Sequence, residues 1–235
     1  MATYVLVHGG GHGGWCYQKV ARILRGQGHE VHCPTLTGLG ERSHLLSPDI
    51  DLDTHIADVV NVLHYEDLRD AILAGHSYGG MVITGVADRA LDRVGQFVYL
   101  DAARPMNGES LADIAPVMGE ARSQGRVVDG VELVIFPEFL LQYMGVTDPD
   151  DLAWMEDKLT PHPWKTFGQP LRLEHEEAVM TIPRTIVNCT PSLQAGMQPA
   201  RERLFDADRV WELDTGHDLM ITEPEAVAEM LERLA

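Results

Sequence analysis

Ser77 stands in Gly75-His-Ser-Tyr-Gly79, directly after the apolar run Ala71-Ile-Leu-Ala74 and before a stretch with helical periodicity. A Gly-x-Ser-x-Gly at a strand-to-helix turn is a nucleophile elbow: the glycines remove side chains that would clash, and the serine is held exposed in a strained conformation. The chemistry this suggests is acyl transfer through a serine hydroxyl. Such a serine needs a general base, and of the eleven histidines only His217 lies in a loop, Thr215-Gly-His-Asp218, that follows the last strand and precedes the last helix. The base in turn needs a carboxylate. Asp101 ends the run Phe97-Val-Tyr-Leu100, where a turn residue is the plain reading, and Asp214 precedes His217 by three residues, where the end of its own strand would more naturally point it elsewhere.

A second glycine cluster, His8-Gly-Gly-Gly-His-Gly-Gly-Trp15, also follows a strand. Gly9-x-Gly11-x-x-Gly14 has the spacing of a dinucleotide loop, but that reading wants an acid at the end of the second strand, and Glu30 opens Glu30-Val-His-Cys33 instead. The stronger reading is an oxyanion loop, in which the backbone N–H of Gly10 joins that of Tyr78 around a developing negative charge. His8 and His12 have i,i+4 ligand spacing, but on a glycine loop this does not make a metal site. His76 reads as the variable residue of the elbow.

These residues need a scaffold. Strands are expected near 3–7, 30–33, 70–74, 95–100, 184–188 and 209–213, with helices between them: one capped by Asp53 with Ile56, Val59, Val60 and Leu63 on one face, and one over Tyr78–Leu91. Thr222-Glu-Pro-Glu225 reads as a capping box opening the last helix. Strand–helix alternation predicts an α/β fold with a mostly parallel central sheet flanked by helices. From 104 to 182 the alternation breaks into short helical pieces interrupted by prolines. The chain is therefore read as a single domain, core 1–103 and 183–235, with 104–182 inserted as a cap.

The 235 residues carry 36 acidic and 18 basic side chains, a formal charge of −18 that would repel phosphate backbones and anionic lipids, so nucleic acid and membrane partners are not expected. Cys16, Cys33 and Cys189 are odd in number and far apart, which argues against disulfides and for buried thiols. With no leader-like segment and no apolar run of about 20 residues, a cytoplasmic protein is expected. Oligomeric state is not readable, and a homodimer stays open.

Val5-Leu-Val-His-Gly-Gly-Gly-His-Gly-Gly-Trp-Cys16, Pro34-Thr-Leu-Thr-Gly-Leu-Gly40, Gly75-His-Ser-Tyr-Gly-Gly80 and Gly216-His217 together resemble the α/β-hydrolase superfamily, in the branch of plant methyl-salicylate-type esterases, hydroxynitrile lyases and bacterial esterase relatives. The resemblance spans nearly the whole chain. It implies Ser77 as nucleophile, His217 as base, Gly10 and Tyr78 as oxyanion donors, a cap over the site, and no cofactor. It also implies an acid just after the penultimate strand, where this chain has Ser192. Asp101 is then the leading acid, because some members carry it on the strand after the nucleophile helix, and Asp214 is the runner-up. The expected activity is hydrolysis of a small hydrophobic or aromatic ester, with cap residues Phe136, Phe139, Leu140, Tyr143, Met144, Trp154 and Trp164 as its apolar surroundings. Rivals on the same scaffold are a hydroxynitrile lyase, a cofactor-free dioxygenase and a non-catalytic binder. The lyases carry a threonine at the place of Gly9 and a lysine at that of Asp218, whose charge here would oppose a leaving cyanide.

Overall fold

A computed structural model describes residues 1–196 and 200–235. Its nine strands among the described residues are β1 (Thr3–Val7), β2 (Glu30–His32), β3 (Ala71–His76), β4 (Val94–Leu100), β5 (Arg126–Val128), β6 (Val131–Val134), β7 (His162–Pro163), β8 (Arg184–Cys189) and β9 (Arg209–Leu213). Six of them form one sheet in the order β2-β1-β3-β4-β8-β9, every neighbour parallel. The six expected strands are these six, within about two residues at each end.

Side-chain alternation shows how the sheet is covered. Val5, Val7, Leu73, Phe97 and Tyr99 face one apolar cluster, while Tyr4, Leu6, Ile72, Val98 and Leu100 face another. Each cluster is completed by helices: Leu52–Tyr65 and Gly79–Arg89 on the first face, Gln18–Gly26 and Pro224–Glu232 on the second. A parallel sheet buried on both faces reads as continuous apolar runs, as these strands do. Chain order reverses between β1 and β3, and the loops leaving the carboxyl ends of strands beside such a reversal form a crevice. Ser77 lies on the loop after β3, beside this reversal, and Asp101 and His217 lie on the loops after β4 and β9 at the same end of the sheet.

Three local expectations need correction. The helix Leu52–Tyr65 is capped by Asp51, not Asp53: Asp51 accepts from the Thr54 N–H at 3.0 Å in a capping box, whereas Asp53 pairs with Arg89 at the surface. The box expected at Thr222 does not form. The Thr222 hydroxyl is shared with Thr215 at 2.7 Å and the Asp218 carbonyl at 3.3 Å, and Pro224 opens the last helix at its first turn without a side-chain cap. Within 104–182, β5, β6 and β7 form an antiparallel sheet that was not expected. Its hairpin turn is Asp129-Gly130, both residues at positive φ (49° and 81°), the conformation a two-residue hairpin of this type demands. The Val-Asp-Gly-Val spacing was available in the sequence.

Among the described residues no helix is long and apolar enough to cross a membrane, and no group of three or more His, Cys, Asp or Glu is placed to hold a metal ion. The three cysteines are free; Cys16 and Cys189 are buried and Cys33 is half-buried.

Candidate active site

One cavity is lined by Gly10, Ser77, Tyr78, Asp101 and His217 together, so all five residues expected to act meet in one place. Each arrives on its own loop: Gly10 after β1, Ser77 and Tyr78 after β3, Asp101 after β4, and His217 after β9.

Ser77 has φ +52°, a left-handed conformation uncommon for a residue other than glycine and of the kind a sharp elbow imposes. The turn closes because Gly80 lets the following helix sit against the exit of β4: a Cβ there would lie 1.9 Å from the Ala103 carbonyl oxygen. The Ala103 N–H in turn donates to the Ser77 carbonyl at 3.0 Å. Ser77 lines the cavity, and its hydroxyl makes no hydrogen bond among the described residues.

Asp101 is also at positive φ, +45°, and buried. Its Oδ1 accepts the Cys189 N–H at 3.0 Å; its Oδ2 accepts the Ser192 hydroxyl at 2.5 Å and His217 Nδ1–H at 2.5 Å. Burial would raise its pKa, but the hydrogen bond and charge of His217, with Ser192 and the Cys189 amide, outweigh this and hold the carboxyl below the usual aspartate value. With the proton on Nδ1, Nε2 of His217 is the basic nitrogen. Asp214 is turned away: it accepts the Thr190 hydroxyl at 2.6 Å on the exposed side. Ser192, standing where an acid was expected, is thus a donor to the carboxylate that replaces it.

The backbone N–H groups of Gly10 and Tyr78 donate to no other group among the described residues, while both residues line the cavity. Their neighbours are held by buried histidines. Tyr78 donates its hydroxyl to His55 Nδ1 at 2.9 Å, and His55 Nε2–H donates to the Thr37 carbonyl at 2.9 Å. Gly11 N–H donates to His162 Nδ1 at 3.1 Å, and His162 Nε2–H donates to the Thr166 hydroxyl at 2.7 Å. Thr160 N–H returns to the Gly11 carbonyl at 2.9 Å, so residues 160–162 grip Gly11 on both sides. Burial holds His55 down at about 4 and pushes His162 well below the usual imidazole value; neutral rings can accept as these do.

His76 and Asp218 depart from what was expected. His76 is fully buried, its pKa pushed down to about 3 first by burial, then by the His217 charge, and its Nε2–H donates to the His217 carbonyl at 3.0 Å. It supports the backbone of His217. Asp218 does not oppose charge in the cavity: it is fully buried and bonds His12 Nε2–H at 2.9 Å. Nor is there room for a threonine at Gly9, since a Cβ there would lie 2.7 Å from His76 Nδ1 and 2.9 Å from Ser77 Cβ. His8 and His12 each bond a backbone carbonyl through Nδ1 at 2.8 Å, and they form no metal-holding group among the described residues.

The rest of the cavity is apolar. Phe136, Leu140, Tyr143 and Met144 line it as expected, joined by Leu111, Ile114, Val117, Met118 and Phe167. Phe139 is instead largely exposed, Trp154 packs edge-on against Trp15 at 5.0 Å, and Trp164 lies under Arg122. The Tyr143 ring sits 4.7 Å from that of His217, and the His217 and Asp218 N–H groups donate to the Tyr143 and Met144 carbonyls at 3.3 and 2.9 Å.

Comparison with known proteins gives a consistent picture. The profile described as "Alpha/beta hydrolase family" matches residues 4–230. A carbendazim hydrolyzing esterase of Nocardioides sp. is 36% identical, with all of both chains covered. The pFDCC methylesterase MES16 of Arabidopsis thaliana is 25% identical over 88% of this chain and 79% of its own. Among solved structures, an extracellular alpha/beta-hydrolase from a Paenibacillus species superposes with a TM-score of 0.85 at 26% identity, covering 99% of this chain and 98% of that one.

Proposed function

The chain belongs to the alpha/beta hydrolase family, and we propose that it is a serine carboxylic ester hydrolase that works through an acyl-serine on a small hydrophobic or aromatic ester. Esterase relatives support hydrolysis; the single observation that carries the finer reading is the 2.5 Å bond from His217 Nδ1 to Asp101, inside the cavity that Ser77 lines.

In this reading His217 Nε2 takes the Ser77 proton as Oγ attacks the ester carbonyl. The carbonyl electrons move to oxygen, which the Gly10 and Tyr78 N–H groups bind; such donors contribute ~2.7–4 kcal/mol each to the transition state. The tetrahedral intermediate collapses, the C–O bond to the alcohol breaks, and the imidazolium gives its proton to the departing alkoxide. Water then enters and loses a proton to Nε2, and its oxygen displaces Ser77, which recovers that proton. Asp101 holds the ring and supports its charge without taking the proton itself. Apart from the His12 ring, which is already paired with Asp218, the lining offers no cationic partner for an ionised acyl group, which favours a neutral ester.

A fluorophosphonate is expected to label Ser77, and a panel of aryl and alkyl esters to be turned over by the wild-type protein and not by Ser77→Ala. Folded wild-type protein that neither labels nor hydrolyses any of them refutes the proposal, as does undiminished hydrolysis by Ser77→Ala.

A further inference from the structure

His12 and Asp218 lie 206 positions apart and are both essentially without solvent contact. Both nitrogens of His12 face oxygens that can only accept: the Gly10 carbonyl at 2.8 Å from Nδ1, and the Asp218 carboxylate at 2.9 Å from Nε2. The ring therefore carries two protons, and the pair is a buried imidazolium–carboxylate. Burial works against the charge of His12, but the Asp218 charge and hydrogen bond raise its pKa; burial likewise opposes the Asp218 charge, and His12 pulls that carboxyl down.

Such a pair is an expensive way to fill space, because apolar side chains of the same volume commonly do as well or better for stability. This one is also incompletely satisfied: Asp218 Oδ1 has no hydrogen-bond partner among the described residues and lies 3.6 Å from His76 Nε2. Its location gives it another use. His12 is two residues beyond Gly10 and bonds the Gly10 carbonyl; Asp218 directly follows His217. The contact thus bridges the loop after β1 and the loop after β9, which flank Ser77 from opposite sides, and no backbone pairing joins those two strands.

We propose that the His12–Asp218 pair is a positioning device that ties the oxyanion loop to the base loop, so that both are set on Ser77 as one unit. The inference rests on the esterase reading above. His12 and Asp218 are positioning residues, acting through Gly10 and His217.

The test uses Asp218→Asn, His12→Gln and the double variant, each checked for folding by circular dichroism. Active sites are titrated with a fluorophosphonate and turnover is measured on an aryl ester. Since a misplacement of about 1 Å can cost ~10²-fold in rate, kcat per titrated site is expected to fall ~10–100-fold with KM little changed. Because the two residues act as one unit, the double variant should lose about as much as either single. A merely structural pair would lower the yield of titratable sites and leave kcat per site intact. Wild-type kcat per site in any folded variant, or losses that multiply in the double, overturns the inference. If Asp218→Asn does not fold, the double variant, in which neither charge is buried alone, decides by the same criterion. Wild-type protein that fails to label or hydrolyse refutes the esterase reading instead, so the two failures are separable.

Discussion

Asp101→Asn tests the geometry of the site most sharply. Asparagine tolerates the +45° φ at this position better than alanine would, so the turn after β4 should survive. With its oxygen kept on the Cys189 N–H, the new amide places an NH2 where Oδ2 now accepts from Ser192 and His217. The Ser192 hydroxyl can rotate to accept. His217 can accept only by moving its proton from Nδ1 to Nε2, and that nitrogen can then no longer take the proton of Ser77. The equivalent change in a serine protease costs about 10⁴ in kcat, which at ~1.36 kcal/mol per decade is about 5.4 kcal/mol of transition-state stabilisation. Stability should change little, by about 1 kcal/mol, because the hydrogen bonds are exchanged and not lost. Initial rates on an aryl acetate, with a thermal melt of the same sample, measure both quantities. Asp214→Asn is the control: it should leave kcat unchanged, since Asp214 accepts the Thr190 hydroxyl at the exposed side and does not line the cavity. A folded Asp101→Asn enzyme whose kcat is within tenfold of wild type would refute the assignment of Asp101 as the partner of His217.

Two further outcomes are expected. The carboxyls of Asp101 and Asp218 are both held below the usual aspartate value in the native protein; as pH falls, the unfolded chain binds protons first, near pH ~3.9, and stability drops as pH falls further through the native values. Their contribution should be complete above pH ~5, but the buried neutral His55 and His76, held at about 4 and about 3, leave the unfolded chain to bind protons first from pH ~6.5 downward, so urea midpoints measured from pH 7 to 3 should begin to fall below about pH 7 and continue to fall through pH 4; midpoints level from pH 7 to 5 would contradict this. His162→Phe keeps the ring stacked on Phe167, now 4.1 Å away, but leaves the Gly11 N–H without its acceptor. It should cost ~1–3 kcal/mol in denaturant unfolding and lower kcat; unchanged stability would mean that the bond contributes nothing.

What could be read from the sequence followed from how local each signal is. The elbow announces itself within five residues, and the loop of His217 between a strand and a helix is a matter of order along the chain. Asp101 could be reached only by elimination, because Ser192 occupies the position where an acid was sought, and only the folded chain brings Ser192 Oγ to 2.5 Å from the carboxylate it gave way to. The helpers were not legible. His55, His76 and His162 act through a hydroxyl or a backbone group, and a histidine donating to a carbonyl leaves no spacing to find. Asp218 was weighed only by its charge beside His217, because its partner His12 lies 206 positions away and no local pattern joins the two. The capping box at Thr222 failed for a similar reason: a hydroxyl has several acceptors in reach, and Thr215 was nearer in space than the sequence implied.

The grip of residues 160–162 on Gly11 bears on how this scaffold could be altered. An inserted segment that only roofed a pocket could be exchanged between relatives as a cassette, resetting substrate choice and leaving the catalytic parts alone. Here Thr160 and His162 contribute donor and acceptor, respectively, to the very loop that carries Gly10. A graft that replaces residues 104–182 therefore also rewrites the support of the loop that carries Gly10, and under the proposed mechanism selectivity and turnover will change together. A designer seeking a new substrate range would do better to leave 160–167 in place and vary 111–118, where the cavity wall is apolar and holds none of these bonds.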